Sequence, residues 1–125
     1  MTTAPTLVFG FNNGPADTNY LDDVSVVLTS APLIQLLQNP SFENSTSVLT
    51  GWVTWCQSGC GVGNEGQVTS TGCYSGNCYT DHCQNPAYDF LAQSFSTTIG
   101  HNYTISFRLY QVGGPAGTFY ANIDG

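Results

Sequence analysis

The chain has 125 residues, a length suited to one domain with chain enough to bury a core. Hydrophobic residues make up 41%, which argues against a disordered polymer, yet only 7% are charged against about 25% in ordinary soluble domains. Arg108 is the only Lys or Arg side chain and the formal net charge is −7, so phosphate backbones and anionic membrane surfaces are repelled, and the absence of Lys rules out Lys–Asn isopeptide cross-links.

Taken in chain order, the punctuation is that of an all-β protein: Gly and Pro recur, and no stretch holds a helical period. Leu7–Phe11 reads as a strand with Leu7, Phe9 and Phe11 on one face, and Asn12–Pro15 as a turn. Leu21–Leu28 is a β-branched strand. Thr29–Gln35 is a short connector stiffened by Pro32, and Leu33–Leu37 reads as extended chain leading into a strand over Leu36–Glu43 that Asn39-Pro40-Ser41 interrupts. Asn44–Leu49 is a polar loop. Gly51–Trp55 starts another strand, followed by a Gly-rich loop over Cys56–Gly66 and a short strand over Gln67–Ser70. Thr71–Pro86 reads as irregular. Asp89–Thr97 is a strand with Leu91 and Phe95 inward, and Gly100–Asn102 a turn. Tyr103–Tyr110 alternates most regularly, with Tyr103, Ile105, Phe107 and Leu109 on one face. Val112–Gly117 is a turn, and Thr118–Ile123 is the last strand. Roughly eight strands predict an antiparallel β-sandwich or jelly roll.

Cys56, Cys60, Cys73, Cys78 and Cys83 fall within one stretch. That density points to an oxidising compartment and to disulfides, with one sulfur left over or bonded to a neighbour. Asn44-Ser45-Thr46 and Asn102-Tyr103-Thr104 are N-glycosylation sequons at Asn44 and Asn102, which fits an extracellular, secreted product. Met1 is followed by polar residues and Pro5 rather than by a signal sequence, and no apolar run is long enough to span a bilayer. Zinc is conceivable at the cysteines with His82 beside Cys83, but CxxC pairs are missing and disulfide staples are the stronger reading.

The segments Asn39-Pro40-Ser41-Phe42-Glu43, Gly51-Trp52, Gln93-Ser94-Phe95-Ser96-Thr97, Tyr103-Thr104-Ile105-Ser106-Phe107 and Leu21-Asp22-Asp23-Val24-Ser25-Val26 together resemble the galactose-binding-like jelly roll, the fold of many carbohydrate-binding modules. In that family the Asn-x-x-Phe-Glu strand opens the domain and the Asp-Asp-Val-Ser-Val strand closes it. Here the closing strand comes first. Residues 1–30 therefore read as closing strands and 31–125 as the main body of the sandwich. The closing strands either fold back as in a circular permutant or complement a neighbouring copy head-to-tail, and the latter gives a filament or tandem array. The short connector favours exchange. The resemblance also implies a structural Ca2+ where opening and closing strands meet, at Glu43 and one of Asp22 and Asp23; eight acids with almost no basic partners fit that implication.

A carbohydrate ligand would need exposed aromatic platforms. Trp55, Tyr74, Tyr79, Tyr88 and Tyr110 are available, with Asn77, Gln84 and Asn85 nearby, while Trp52 reads as core. Catalysis finds little: His82 and His101 are the only imidazoles, and Asp81 and Asp89 form a glycosidase pair only on paper, being read as loop acids. The expected function is a non-catalytic extracellular structural or adhesive module that assembles with copies of itself. The alternative is a monomeric, calcium-stabilised carbohydrate-binding module.

Overall fold

The computed structural model describes residues 2–13, 17–56, 60, 66–83, 87–113 and 117–124. Gly14 and Pro15 of the first expected turn, most of the Cys56–Gly66 loop, the expected sugar-side amides Gln84 and Asn85, and residues 114–116 of the last turn lie outside these residues. Eleven strands are formed: β1 (Thr2–Thr3), β2 (Thr6–Asn12), β3 (Thr18–Leu28), β4 (Ala31–Gln35), β5 (Val53–Cys56), β6 (Gln67–Thr69), β7 (Cys78–Asp81), β8 (Asp89–Ser94), β9 (Thr97–Thr98), β10 (Tyr103–Val112) and β11 (Thr118–Asp124). There is no helix among the described residues.

Two antiparallel sheets form a sandwich. One has the order β10-β3-β7-β6, with β4 also paired to β3; the other has the order β11-β2-β8-β5. A third, two-stranded sheet pairs β1 with β9. Consecutive long strands alternate between the two main sheets, as they do in a jelly roll. The core lies between the sheets. Leu7, Phe9 and Phe11 from β2 meet Leu21, Val24 and Val26 from β3, Tyr79 from β7 and Leu91 from β8. Ring contacts join the layers: Phe11 lies 5.4 Å from Tyr79, and Phe9 lies 5.3 Å from Phe107 in an edge-on arrangement.

The N-terminal strands occupy the middle of both sheets. β2 pairs with β11 on one side and β8 on the other, while β3 pairs with β10 and β7. The short connector does not force the chain outward as expected. Thr29 and Ser30 make a turn, and Ala31–Gln35 folds back on β3 as β4. Asp23, at φ 54°, forms a bulge where the register of β3 against β10 shifts between Ser106 and Arg108.

Three expectations about elements are corrected. Leu36–Glu43 is not a strand but a series of bends and turns. Pro40 lacks an N–H for a ladder, and Asn39 and Phe42 both have positive φ, at 46° and 63°. Asn39 organises the turn. Its side chain donates to the Thr50 carbonyl at 2.9 Å and accepts from the Asn44 N–H at 3.1 Å. Its own carbonyl accepts from Trp52 Nε1 at 2.9 Å. Phe42 is thereby turned into the core, fully buried and stacked on Trp52. Thr71–Pro86 is not wholly irregular, because it contains β7, an interior strand buried along its whole length. Asp89 stands at the start of β8 and Asp81 at the end of β7, so neither is a loop acid.

β10 shows the expected alternation, but its inward face is only half covered because β10 is an edge strand. β11 is the edge of the other sheet, and the Phe107 and Phe119 rings meet between these two edge strands at 5.7 Å.

Candidate functional site

The outer face of the β11-β2-β8-β5 sheet carries a row of aromatic rings. Trp55 on β5 is the register partner of Phe90 on β8, Phe90 is the partner of Gly10 on β2, and Gly10 is the partner of Tyr120 on β11. Strand pairing alone therefore lines up four positions across the whole sheet. Gly10 is what makes room for the Tyr120 ring in this row. A Cβ there would come within 2.6 Å of Tyr120 Cζ, so the Tyr120 ring lies down over the bare backbone. Trp55 and Phe90 stack at 5.1 Å and 21°, and Tyr88 stacks on Phe90 at 6.0 Å and 16°. Tyr120 closes the group at 6.2 Å from Tyr88 and 6.3 Å from Phe90. Trp55 and Tyr120 remain 46% and 39% exposed. Partial burial, with a contribution from Tyr88, raises the Tyr120 phenol above its usual range. Sequence reading found Trp55 and Tyr88 but missed Phe90 and Tyr120, because only the strand register shows that they share this face.

The outer face of the other sheet holds a cleft of about 530 Å³ lined by Tyr20, Gly72, Tyr74, Arg108 and Tyr110, among others. Tyr20 stacks on Tyr110 at 6.0 Å, and the Arg108 guanidinium carbon lies 3.8 Å above the Tyr74 ring. The loop that covers this cleft is closed by a Cys73–Cys78 disulfide. Asp22 and Glu43 hold it down. Asp22 Oδ2 accepts from the Ser75 N–H at 3.0 Å, and Glu43 Oε2 accepts from the Asn77 N–H at 2.8 Å. Burial raises the Asp22 carboxyl above the usual range, partly offset by the Ser75 and Asp23 N–H groups, with Glu43 and Asp23 adding repulsion.

The three residues expected at a calcium ion thus have identified duties. Both Asp22 oxygens accept backbone N–H groups, Glu43 anchors the loop, and Asp23 faces Arg108 at 3.5 Å. Among the described residues, the one cluster of three or more ligand-bearing side chains with atoms inside 4.8 Å is Cys56, Cys60 and Cys83.

Of the other expected site residues, Tyr74 is 64% exposed and available to a ligand, whereas Tyr79 is fully buried and is corrected to core. Its hydroxyl reaches inward to Asp81 Oδ2 at 3.2 Å and Asp89 Oδ2 at 3.1 Å. Asn44 and Asn102 are both exposed, as sequon asparagines need to be. His101 is exposed and His82 half-buried.

Asp81 and Asp89 come together after all, but inside the protein. Both are buried, and they share a network with Tyr79, Asn13 and the cysteines. Burial first, then the hydrogen bond and charge of Asp89, push the Asp81 carboxyl up to about 9. Asp89 accepts backbone N–H groups at both oxygens, from Phe90 at 3.0 Å and Gly66 at 2.7 Å. Asp81 Oδ1 accepts from the Cys83 N–H at 2.9 Å and from Asn13 at 3.2 Å. Among the described residues no backbone N–H reaches Asp81 Oδ2, where the Tyr79 hydroxyl donates instead, and the raised carboxyl of the pair is that of Asp81.

No helix among the described residues is long and apolar enough to cross a membrane. Comparison of the chain with family models, curated proteins and solved structures finds no match to any of them.

Proposed function

We propose that this chain is a non-catalytic extracellular binding module of the galactose-binding-like kind, and that it grips sugar rings on the outer face of the β11-β2-β8-β5 sheet. The observation that carries this reading is the row Trp55, Phe90 and Tyr120, flanked by Tyr88, with the Tyr120 ring over Gly10. Sugars present C–H faces that pack on aromatic rings, and a row of partly exposed rings suits consecutive rings of a chain polysaccharide. The near absence of charge supports a neutral ligand, because such a surface offers stacking and hydroxyl or amide hydrogen bonds rather than ion pairs. The disulfide and the exposed sequons support an extracellular setting. A glycan array followed by titration calorimetry tests the reading. Hits that disappear in Trp55→Ala and Tyr120→Ala are the expected result, and an array without hits refutes it.

A second reading, self-assembly through strand pairing, is favoured by one specific feature. β10 and β11 are long, touch through the rings of Phe107 and Phe119, and have no outer partner strand among the described residues, with Phe107, Val112 and Ile123 36%, 42% and 44% exposed. Such edges invite strand addition. Light scattering over a concentration series decides it: growth into long particles supports head-to-tail assembly with copies of itself, and a monomer at high concentration rejects it.

A further inference from the structure

At one end of β5, three sulfurs converge. Cys60 lies within bonding reach of both Cys56 and Cys83. The Cα separations are 6.5 Å for Cys56–Cys60 and 4.7 Å for Cys60–Cys83, and disulfides accept roughly 4.4–6.8 Å. The backbone therefore suits either bond without rearrangement. A sulfur makes one disulfide at a time, so when Cys60 bonds one neighbour the other is left as a thiol. The surroundings separate the two outer sulfurs. Cys83 is fully buried and its N–H is fixed on Asp81. Cys56 is half-buried at the surface, and its sulfur donates to Asp89 Oδ1 at 3.6 Å. Cys73 and Cys78 pair with each other elsewhere and take no part.

We propose that Cys56, Cys60 and Cys83 form a thiol–disulfide exchange site, in which Cys60 alternates between two partners and the surface sulfur of Cys56 accepts an external disulfide. In the internal step the Cys56 thiolate attacks Cys60 Sγ. The Cys56–Cys60 bond forms, the Cys60–Cys83 bond breaks, and Cys83 departs with the electron pair and takes up the proton that Cys56 released. Nothing is oxidised or reduced overall. In the external step the Cys56 thiolate attacks one sulfur of a disulfide R–S–S–R. A Cys56–S–S–R bond forms and RS⁻ leaves and is protonated, again without a net oxidant. The substrate class is a disulfide on a small thiol or on another protein's surface, and the product is a covalent cross-link or cap at Cys56. The buried Cys83 acts as the reserve position that hides the thiol when Cys56 is bonded to Cys60.

The test uses the intact protein secreted from eukaryotic cells. Samples are quenched in acid, unfolded at low pH, labelled with maleimide and mapped without reduction. The expected result is one label per chain, divided between Cys56 and Cys83, with matching Cys60–Cys83 and Cys56–Cys60 peptides. Incubation with glutathione disulfide is expected to give one adduct at Cys56. A label fixed on one residue with a single linkage overturns the exchange. In Cys83→Ser, exchange predicts a Cys56–Cys60 bond, no free thiol and no glutathione adduct, whereas a fixed Cys60–Cys83 bond predicts two free thiols. Three thiols masked by stoichiometric zinc and released by a chelator would overturn the proposal in favour of a metal centre. The wild-type map stands by itself if the variant does not fold.

Discussion

Replacing Asp81 with Asn isolates one buried proton and makes its cost measurable. The Asp81 carboxyl, ordinarily near 3.8, is pushed up to about 9 in the folded chain, first by burial and then by Asp89. Between those limits the folded state holds a proton that the unfolded state has released. Raising the pH therefore favours unfolding across this window. Below about pH 4 both states are protonated and the full stability is present; it is lost as the pH climbs toward the folded value. The slope for one such proton is at most about 1.4 kcal/mol per pH unit, so the loss between pH 5 and pH 7 reaches about 2.7 kcal/mol. Urea slopes of roughly 1–3 kcal/mol/M convert this into a midpoint about 1–3 M lower at pH 7. Asn fits the site. Its oxygen keeps the Cys83 and Asn13 hydrogen bonds at the Oδ1 position, and its NH2 takes the Oδ2 position beside the Tyr79 hydroxyl, which still has Asp89 to donate to. Urea melts of wild type and Asp81→Asn at several pH values, read by tryptophan fluorescence, are the assay. The acids outside this pair are common to both proteins, so the difference between their slopes reports the Asp81–Asp89 pair. Parallel slopes would refute the shared-proton account of Asp81 and Asp89.

Gly10→Val should fold, because the displaced Tyr120 ring is at a sheet edge, but it should lose glycan binding by about tenfold or more as the row is broken; calorimetry against the best array ligand checks it. Phe42→Ala empties a fully buried position beside Trp52 and should cost about 3–5 kcal/mol in chemical denaturation. Asp22→Asn places an NH2 group against an N–H it formerly accepted and should destabilise by about 1–3 kcal/mol, with the loop over Arg108 loosening first in hydrogen exchange. A melt with and without chelator asks whether Asp22, Asp23 and Glu43 also hold calcium: since each already has a protein partner, the midpoint is expected to stay unchanged.

The fold was legible where alternate apolar side chains of a strand turn into the core. β2 shows this in Leu7, Phe9 and Phe11, and β10 in its strict alternation. It was not legible in β7, where all four of Cys78, Tyr79, Thr80 and Asp81 are buried and no alternation exists to be read. The Asn39–Glu43 segment misled for another reason. Its apolar pattern suits a strand, but Asn39 and Pro40 impose a turn that carries Phe42 inward by positive φ rather than by pleat.

The candidate site shows the same limit more sharply. Trp55, Phe90, Gly10 and Tyr120 are far apart in the chain and acquire meaning only from two-residue periodicity combined with three strand registers. A slip of one residue in any pair would turn a ring to the opposite face. Tyr79 illustrates the converse. From the sequence it is one more tyrosine in a cysteine-rich loop, yet its strand turns the ring inward, where its hydroxyl meets two carboxylates. Residue type thus marks which side chains are able to stack on a sugar, and register alone decides which of them face the solvent together. The glycine makes the point most plainly: Gly10 has no chemistry of its own, and its contribution is the room it leaves for Tyr120 to lie down.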